Sequence, residues 1–337
     1  MGTHIEAVWA QAGNGSRRAT ARGLADAAAR NCFALAGRRP GDIDMLINVG
    51  MYREDSMGEP ALAALIQQDI GASPARRLAG PAGRIGLFGR EWRGQRDGGG
   101  GQAGHAGTFS FDLLNGACGA ISAIQIESGL LKSGVIRLGA VVSSDVQPDV
   151  KDPGAAFLRP AGGALLLGWR DGPAGFTDFG TETFPEYQDL FTSGLVWRRR
   201  PGIHGIPAPR LGTGRNEMIV TVKPGYHARL ADCAEEAARR FLRRVGLAVE
   251  DIDLLAPAPA DPDFIDRLRA RLHVPGDKVA YTPEDLAAAY TTGPIAALQA
   301  ARKSGRLAEA RTTLLLAAGP GATVALALYR QPDAEPK

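Results

Sequence analysis

No apolar run in the sequence approaches the roughly 20 residues that a bilayer-spanning helix needs. The first residues, MGTHIEAVWAQAG, lack the basic start and apolar stretch of a secretory signal. These absences point to a globular chain working in the cytoplasm. Cysteine is scarce. Cys32, Cys118 and Cys233 are the three present, with no CxxC or Cys/His spacing, which argues against a disulfide framework and a structural zinc site. An excess of one charge is lacking too: 39 Lys plus Arg stand against 36 Asp plus Glu, too even a balance to argue for a nucleic-acid partner. No GxGxxG opens a helix after the first strand and no GxxxxGK[ST] occurs, so dinucleotide and P-loop readings lose their support. No metal and no cofactor is implied.

What is present is enough apolar sequence, 45% of 337 residues, to bury a substantial core in about two domain-sized units. A weak duplication fixes how those units are organised. LADAAAR (24–30) leads into PGDIDMLINVG, and LADCAEEAAR (230–239) leads into VEDIDLLAPAP, so Asp42 and Asp251 correspond at an offset of 209 residues. GAISAIQIESGLLKSG, starting at Gly119, and GPIAALQAARKSG, starting at Gly293, correspond at an offset of 174. The difference locates an insertion of about 35 residues near positions 72–107 of the first half. That stretch is rich in Gly and Arg without a sustained period, which reads as a surface loop. Because it ends just before the strand leading to Cys118, the sharper reading is a lid or docking element, with Trp92 and its neighbouring arginines as contacts.

Strands alternate with helices: INVGM, TFSFDLL, VIRLGAVVSS and GALLLGW, then MIVTV, DLLAPA, TTLLLAA and TVALALYR. This order predicts an α/β fold of two parallel-rich halves, residues 1–172 and 173–337, packed in layers about a pseudo-twofold axis. In FDLLNGACGAISAIQIESGLLKSG, Cys118 follows an apolar strand inside a Gly-flanked turn at the start of a helix. A thiol there feels the positive end of the helix dipole, which predicts a pKa below about 8.5 and a thiolate nucleophile. Gly116 and Gly119 allow close approach of backbone and substrate. Cys32 and Cys233 lie in amphipathic helices and read as packing residues.

The elbow resembles the ketoacyl-ACP synthase III family of the thiolase superfamily. Phe111, Asp112, Leu113, Ala117, Cys118, Ser133 and Gly134 match its signature, and the likeness continues through GGALLLG, DIDLLAP, LHVPGDKV and GPGATVALALYR. The resemblance implies a thiolase-like fold of two duplicated βαβαβ-type halves, a homodimer, and an acyl-thioester on Cys118 drawn from acyl-CoA or acyl-ACP. It implies a place in fatty acid or polyketide biosynthesis.

The departures are as informative. The family draws a His from a Pro-His-Gln-Ala-Asn motif, where this chain has Pro257, Ala258, Pro259, Ala260 and Asp261. It draws an Asn from a Gly-Asn motif before the next helix, where EDLAAAYTTGPIA puts Ala287 or a neighbour. Those groups stabilise the enolate left when a malonyl thioester loses carbon dioxide, at about 3–4 kcal/mol per donor. In the terminal turn around Gly319 and Gly321, Pro320 has no N–H to offer an oxyanion. The Cys118 N–H, at the Cys118–Gly119 helix start, and the Gly321 N–H remain. Of the five histidines, His4, His105, His204 and His273 read as exposed or terminal, while His227 follows a strand at a helix start. Arg267, Arg269 and Arg271 occupy the region that docks acidic carrier protein in the family, and Arg198 to Arg200 add a second basic patch. The expected function is acyl transfer without efficient decarboxylative condensation. The alternatives are a non-catalytic subunit of a synthase heterodimer, a thioester hydrolase or lyase, and a 3-oxoacyl-ACP synthase with a relocated base.

Overall fold

The computed structural model describes residues 2–13, 19–53, 60–72, 107–146, 158–172, 174–199, 214–261 and 263–331. The first half opens on a strand that sequence patterning did not single out, β1 (Gly2–Ala12), whose alternation is broken by a register shift between Ile5 and Ala7. It continues through α1 (Ala21–Ala36), β2 (Met45–Asn48), α2 (Leu62–Ile70), β3 (Phe109–Asp112), α3 (Gly119–Lys132), β4 (Leu138–Asp145) and β5 (Ala161–Arg170). The second half holds β6 (Gly175–Thr183), β7 (Phe191–Arg199), β8 (Gly214–Val222), α4 (Tyr226–Arg244), β9 (Leu254–Pro257) and α5 (Phe264–Leu272). It ends with α6 (Gly293–Lys303), α7 (Arg306–Glu309), β10 (Thr312–Gly319) and β11 (Thr323–Arg330).

Nine strands form one sheet in the order β3-β2-β4-β5-β1-β6-β11-β10-β9, while β7 and β8 pair separately. Outward from the β1–β6 seam the order is the same on both sides, which is the signature of the pseudo-twofold axis. The sheet is mixed rather than parallel-rich. Three of its eight pairings are parallel and five antiparallel. The reason is local: β10 returns into β11 through the three-residue turn Pro320–Ala322, too short for the crossover that a parallel neighbour requires.

The duplication is written in hydrogen bonds. Asp42 accepts the Arg39 N–H and Asp251 accepts the Ala248 N–H, each at 2.8 Å, closing the same one-turn cap. Two residues on, Asp44 accepts the N–H of Arg137 and Asp253 accepts that of Arg311, tying each DID segment to the strand after the second helix. In the first half α2 ends at Ile70 and β3 begins at Phe109. In the second, α5 ends at Leu272, and Val279 bridges to Leu255 in parallel. Residues 73–106, most of the expected insertion with Trp92, lie outside the described residues.

Alternation along the strands sorts the core into layers. In β2, Met45 and Ile47 face one apolar cluster and Leu46 the opposite one. The cluster shared by both halves is built on α3 and α6. A second cluster holds α1 and α2 against the outer face of the first half, and a third holds α4 and α5 against that of the second. Helix α3 is therefore central, anchored by the buried Ile121 and Ile124. Each such side chain contributes about 1.5–3 kcal/mol of burial, enough to hold the residue at its N-terminus, Cys118, in one place. Among the described residues no helix is long and apolar enough to cross a membrane.

Candidate active site

Cys118 ends the one-turn helix Gly116–Cys118 and caps α3. The approach to it is braced by β2. Leu113 N–H donates to the Asn48 carbonyl at 2.8 Å, and the Asn48 amide donates to the Asp112 carboxylate at 3.0 Å. Asp112 also accepts the N–H groups of Leu62 and Ala63, so this signature carboxylate caps α2 from across the sheet and does not face the cysteine. Gly116 stands at φ 51, and a Cβ there would come within 2.8 Å of the Tyr290 hydroxyl, so both the turn and the approach require glycine.

The sulfur is enclosed. Cys118 is 1% exposed, and Sγ lies 3.4 Å from the Thr323 carbonyl oxygen and 3.6 Å from that of Ala317. Burial pushes the thiol up to about 12, the reverse of the depressed value expected from the helix start. The physical reason is that a dipole's partial charge cannot offset the loss of water around an anion. The two carbonyl oxygens beside Sγ also accept from S–H and repel S⁻. A second expectation changes likewise. The Cys118 N–H donates to the Asn115 carbonyl at 3.1 Å and the Gly119 N–H to Gly116, so both are engaged in the turn rather than aimed at a substrate oxygen.

The turn Gly319–Ala322 lies directly on the elbow. A Cβ on Gly319 would meet Ala117 Cβ at 3.3 Å, and one on Gly116 would meet Pro320 Cδ at 3.5 Å. Gly321 (φ 73) and Ala322 (φ 48) are both left-handed, which for alanine costs about 1–2 kcal/mol. Beside this turn opens a cavity of about 240 Å³. Ala117, Gly319 and Pro320 line it on the elbow side, and Phe191, Val222, Tyr226, Tyr290, Pro259 and Ala260 give it an apolar wall. Asp145, fully buried at the end of β4, accepts the N–H of Met51, Tyr52 and Thr291 and the Thr291 hydroxyl. It thereby fixes the Tyr52 and Tyr290 segments, whose rings lie 5.3 Å apart.

At the family His position, Ala258 is 2% exposed, and its Cβ lies 3.2 Å from where a Cβ on Gly293 would stand. Ala287 follows the turn Glu284–Leu286 and is partly exposed. Directly before α6 stand instead Thr291 and Thr292, both fully buried, with the Thr292 hydroxyl 2.8 Å from that of Ser143. His227, second residue of α4, lines the cavity. Its Nδ1 lies 3.1 Å from an oxygen of Asp261, the residue at the end of the altered family motif. The partner was invisible in the sequence because the two meet only through the packing of α4 against the loop before α5. Neither His4, edge-on to Tyr329, nor His273, the left-handed cap of α5, lines the cavity. His105, His204, Arg200 and the side chains of Arg198 and Arg199 lie outside the described residues.

The three arginines of α5 do not form a bare basic patch. Arg267 pairs with Asp261 and Asp263, Arg269 with Asp266, and Arg271 with Asp232. Their charge is met by carboxylates of the same chain.

Comparison with known proteins places this architecture. A family model described as 3-oxoacyl-[acyl-carrier-protein] synthase III C terminal matches residues 242–331. The chain is 26% identical over 301 residues to a beta-ketoacyl-[acyl-carrier-protein] synthase III of Listeria welshimeri, covering 89% of this chain and 80% of that one. It is 26% identical over 318 residues to the protein of the same name from Acidiphilium cryptum, covering 92% and 84%. Among solved structures, the synthase III (FabH) of Pseudomonas aeruginosa PAO1 superposes with a TM-score of 0.70 at 17% identity over 100% of both chains. Cerulenin-bound OleA of Xanthomonas campestris does so with 0.72 at 15%, covering 98% of this chain and 97% of that one. A paired-half sheet around a central helix that starts at a cysteine, together with these matches, gives the chain the fold of the synthase III and OleA structures and a likeness to the ketoacyl-ACP synthase III family that is strongest in its C-terminal region.

Proposed function

We propose that the protein is an acyltransferase of fatty acid or related biosynthesis, which takes an acyl group from acyl-CoA or acyl-ACP onto Cys118. It passes the group to an acceptor that has no carboxylate to lose. The observation that carries this reading is the pairing of an elbow cysteine beside an apolar cavity with an alanine at the family His position. The acyl-CoA class has support from a relative of the same fold, an OleA variant solved with lauric acid and lauroyl-CoA. Because Sγ is enclosed, loading requires the Gly319–Ala322 turn to lift from Ala117. Incubation with a panel of acyl-CoA and acyl-ACP donors is expected to add one acyl mass to the intact protein and none to Cys118→Ala. An adduct that persists in the alanine variant refutes the nucleophile. The sealed sulfur also favours a second reading, a non-catalytic subunit supporting an active partner, and a total absence of adducts would select it.

A homodimer accompanies this reading. Strand β3 ends the sheet among the described residues and carries Phe109, 62% exposed, with Leu114, 64% exposed, just beyond it. An apolar edge of that kind is a pairing template for a second copy. Phe109→Arg is expected to convert a dimer to monomer in sedimentation velocity. A variant that remains dimeric would place the interface elsewhere.

A further inference from the structure

We infer that His227 and Asp261 form the proton relay of this site, with His227 Nε2 as the base and Asp261 as the positioning carboxylate. The inference rests on the acyl-transfer reading and supplies the residue that reading lacks. A buried thiol that is protonated at neutral pH cannot attack a thioester until something takes its proton. Of the titratable groups lining the cavity, Tyr226 and Tyr290 are pushed upward by burial and hold their protons. His227 is the imidazole among the lining side chains.

Geometry assigns the roles. Nδ1 lies 3.1 Å from the Asp261 carboxylate without a well-formed hydrogen bond, a contact that becomes a charge pair once the ring has taken a proton and that leaves Nε2 as the nitrogen for the reacting group. Asp261 is itself held: Arg267 pairs with it and the Asp263 N–H donates to it at 3.0 Å. Burial works to raise its pKa, but the nearby His227 and the Arg267 hydrogen bonds outweigh that and keep the carboxyl below its usual range, hence charged. The Tyr226 ring meets the imidazole edge-on, with centroids 5.1 Å apart, and limits its rotation.

In the loading step His227 Nε2 takes the Cys118 thiol proton as Sγ bonds to the acyl carbon. The donor thiolate leaves and receives that proton. In the transfer step Nε2 takes the proton of an acceptor O–H or N–H as the heteroatom bonds to the acyl carbon, the C–Sγ bond breaks, and Cys118 is reprotonated. An alcohol or amine fits this relay because no enolate has to be stabilised. The apolar wall of Phe191, Val222 and Tyr290 suits an acceptor with an aliphatic or aromatic body.

The test uses the full-length protein with iodoacetamide as probe, so it does not depend on finding the acyl donor. Alkylation of Cys118 at pH 7 is followed by peptide mass in the wild type, His227→Gln, His227→Gly, Asp261→Asn and Asp261→Glu. His227→Gln is expected to slow it about 100-fold, the lower end of what a positioned base contributes. Asp261→Asn should slow it less, Asp261→Glu should recover part of that loss, and added imidazole should restore His227→Gly. An unchanged rate in His227→Gln, with thermal unfolding matching the wild type, overturns the relay; because His227 is 41% exposed, that variant is expected to fold. Alkylation that follows the expected pattern in a protein that no acyl donor loads sustains the relay and removes the transfer reading. Loading that ignores His227 does the opposite.

Discussion

Given malonyl-CoA or malonyl-ACP after acylation of Cys118, the protein is expected to release carbon dioxide at the background rate. Decarboxylation leaves an enolate whose oxygen needs two preorganised donors, and each is worth about 3–4 kcal/mol, or roughly 100- to 1000-fold in rate. Ala258 supplies none. Thr291, near the second donor position, already gives both its N–H and its hydroxyl to Asp145. Reinstalling the histidine should not recover the activity. Ala258 packs against the start of α6 with no niche left, so Ala258→His overfills the core by about 1–3 kcal/mol and is expected to lower the unfolding temperature without raising turnover. Cys118-dependent release at about 1 per second or faster in the wild type would defeat this expectation. Its loss in His227→Ala would then identify the same imidazole as base for a condensing reaction.

The parts of the molecule legible in the sequence are those encoded by short-range pattern. The offset of 209 residues reappears as paired caps on Asp42 and Asp251, because a carboxylate folding back on its own turn needs only neighbours in the chain, and the offset of 174 as the partners Arg137 and Arg311 of the ties from Asp44 and Asp253. The elbow at Cys118 is legible for the same reason: strand, glycine turn and helix are consecutive. What burial decides is not. The direction of the Cys118 pKa follows from burial, and the segments that enclose its sulfur, at Ala317 and Thr323, lie some 200 residues away in sequence. The neutralisation of Arg271 depends on Asp232, on another helix. β1 escaped notice because its register shift disrupts the alternation that marks a strand. His227 could be suspected from its place at a helix start, but Asp261 stands where the family motif ends in Asn, and nothing local announces that it faces α4.

Replacing Glu127 by Gln is expected to raise stability above about pH 5 and to flatten its dependence on pH. Glu127 sits on α3, the helix that presents Cys118, and is fully buried. Its carboxyl lies against Gly139, close to the Ala140 N–H, without a well-formed hydrogen bond. A Cβ on Gly139 would overlap it, which is why that strand position is glycine. Burial raises its pKa well above the carboxylate range, so the folded chain keeps the proton that the unfolded chain releases near pH 4.3. Below that pH both states are protonated and the contribution is fully present. As the pH rises, the unfolded chain gains a solvated charge that the native state refuses, and stability is lost at up to about 1.4 kcal/mol per pH unit until the folded pKa is reached. Glutamine keeps the shape and removes the ionisation. Urea unfolding at pH 4, 6 and 8 should therefore show the wild type and Glu127→Gln close together at the lowest pH and the variant increasingly more stable above it. Parallel curves across that range would mean that the carboxyl ionises in place, and that α3 carries a buried charge beneath the cysteine.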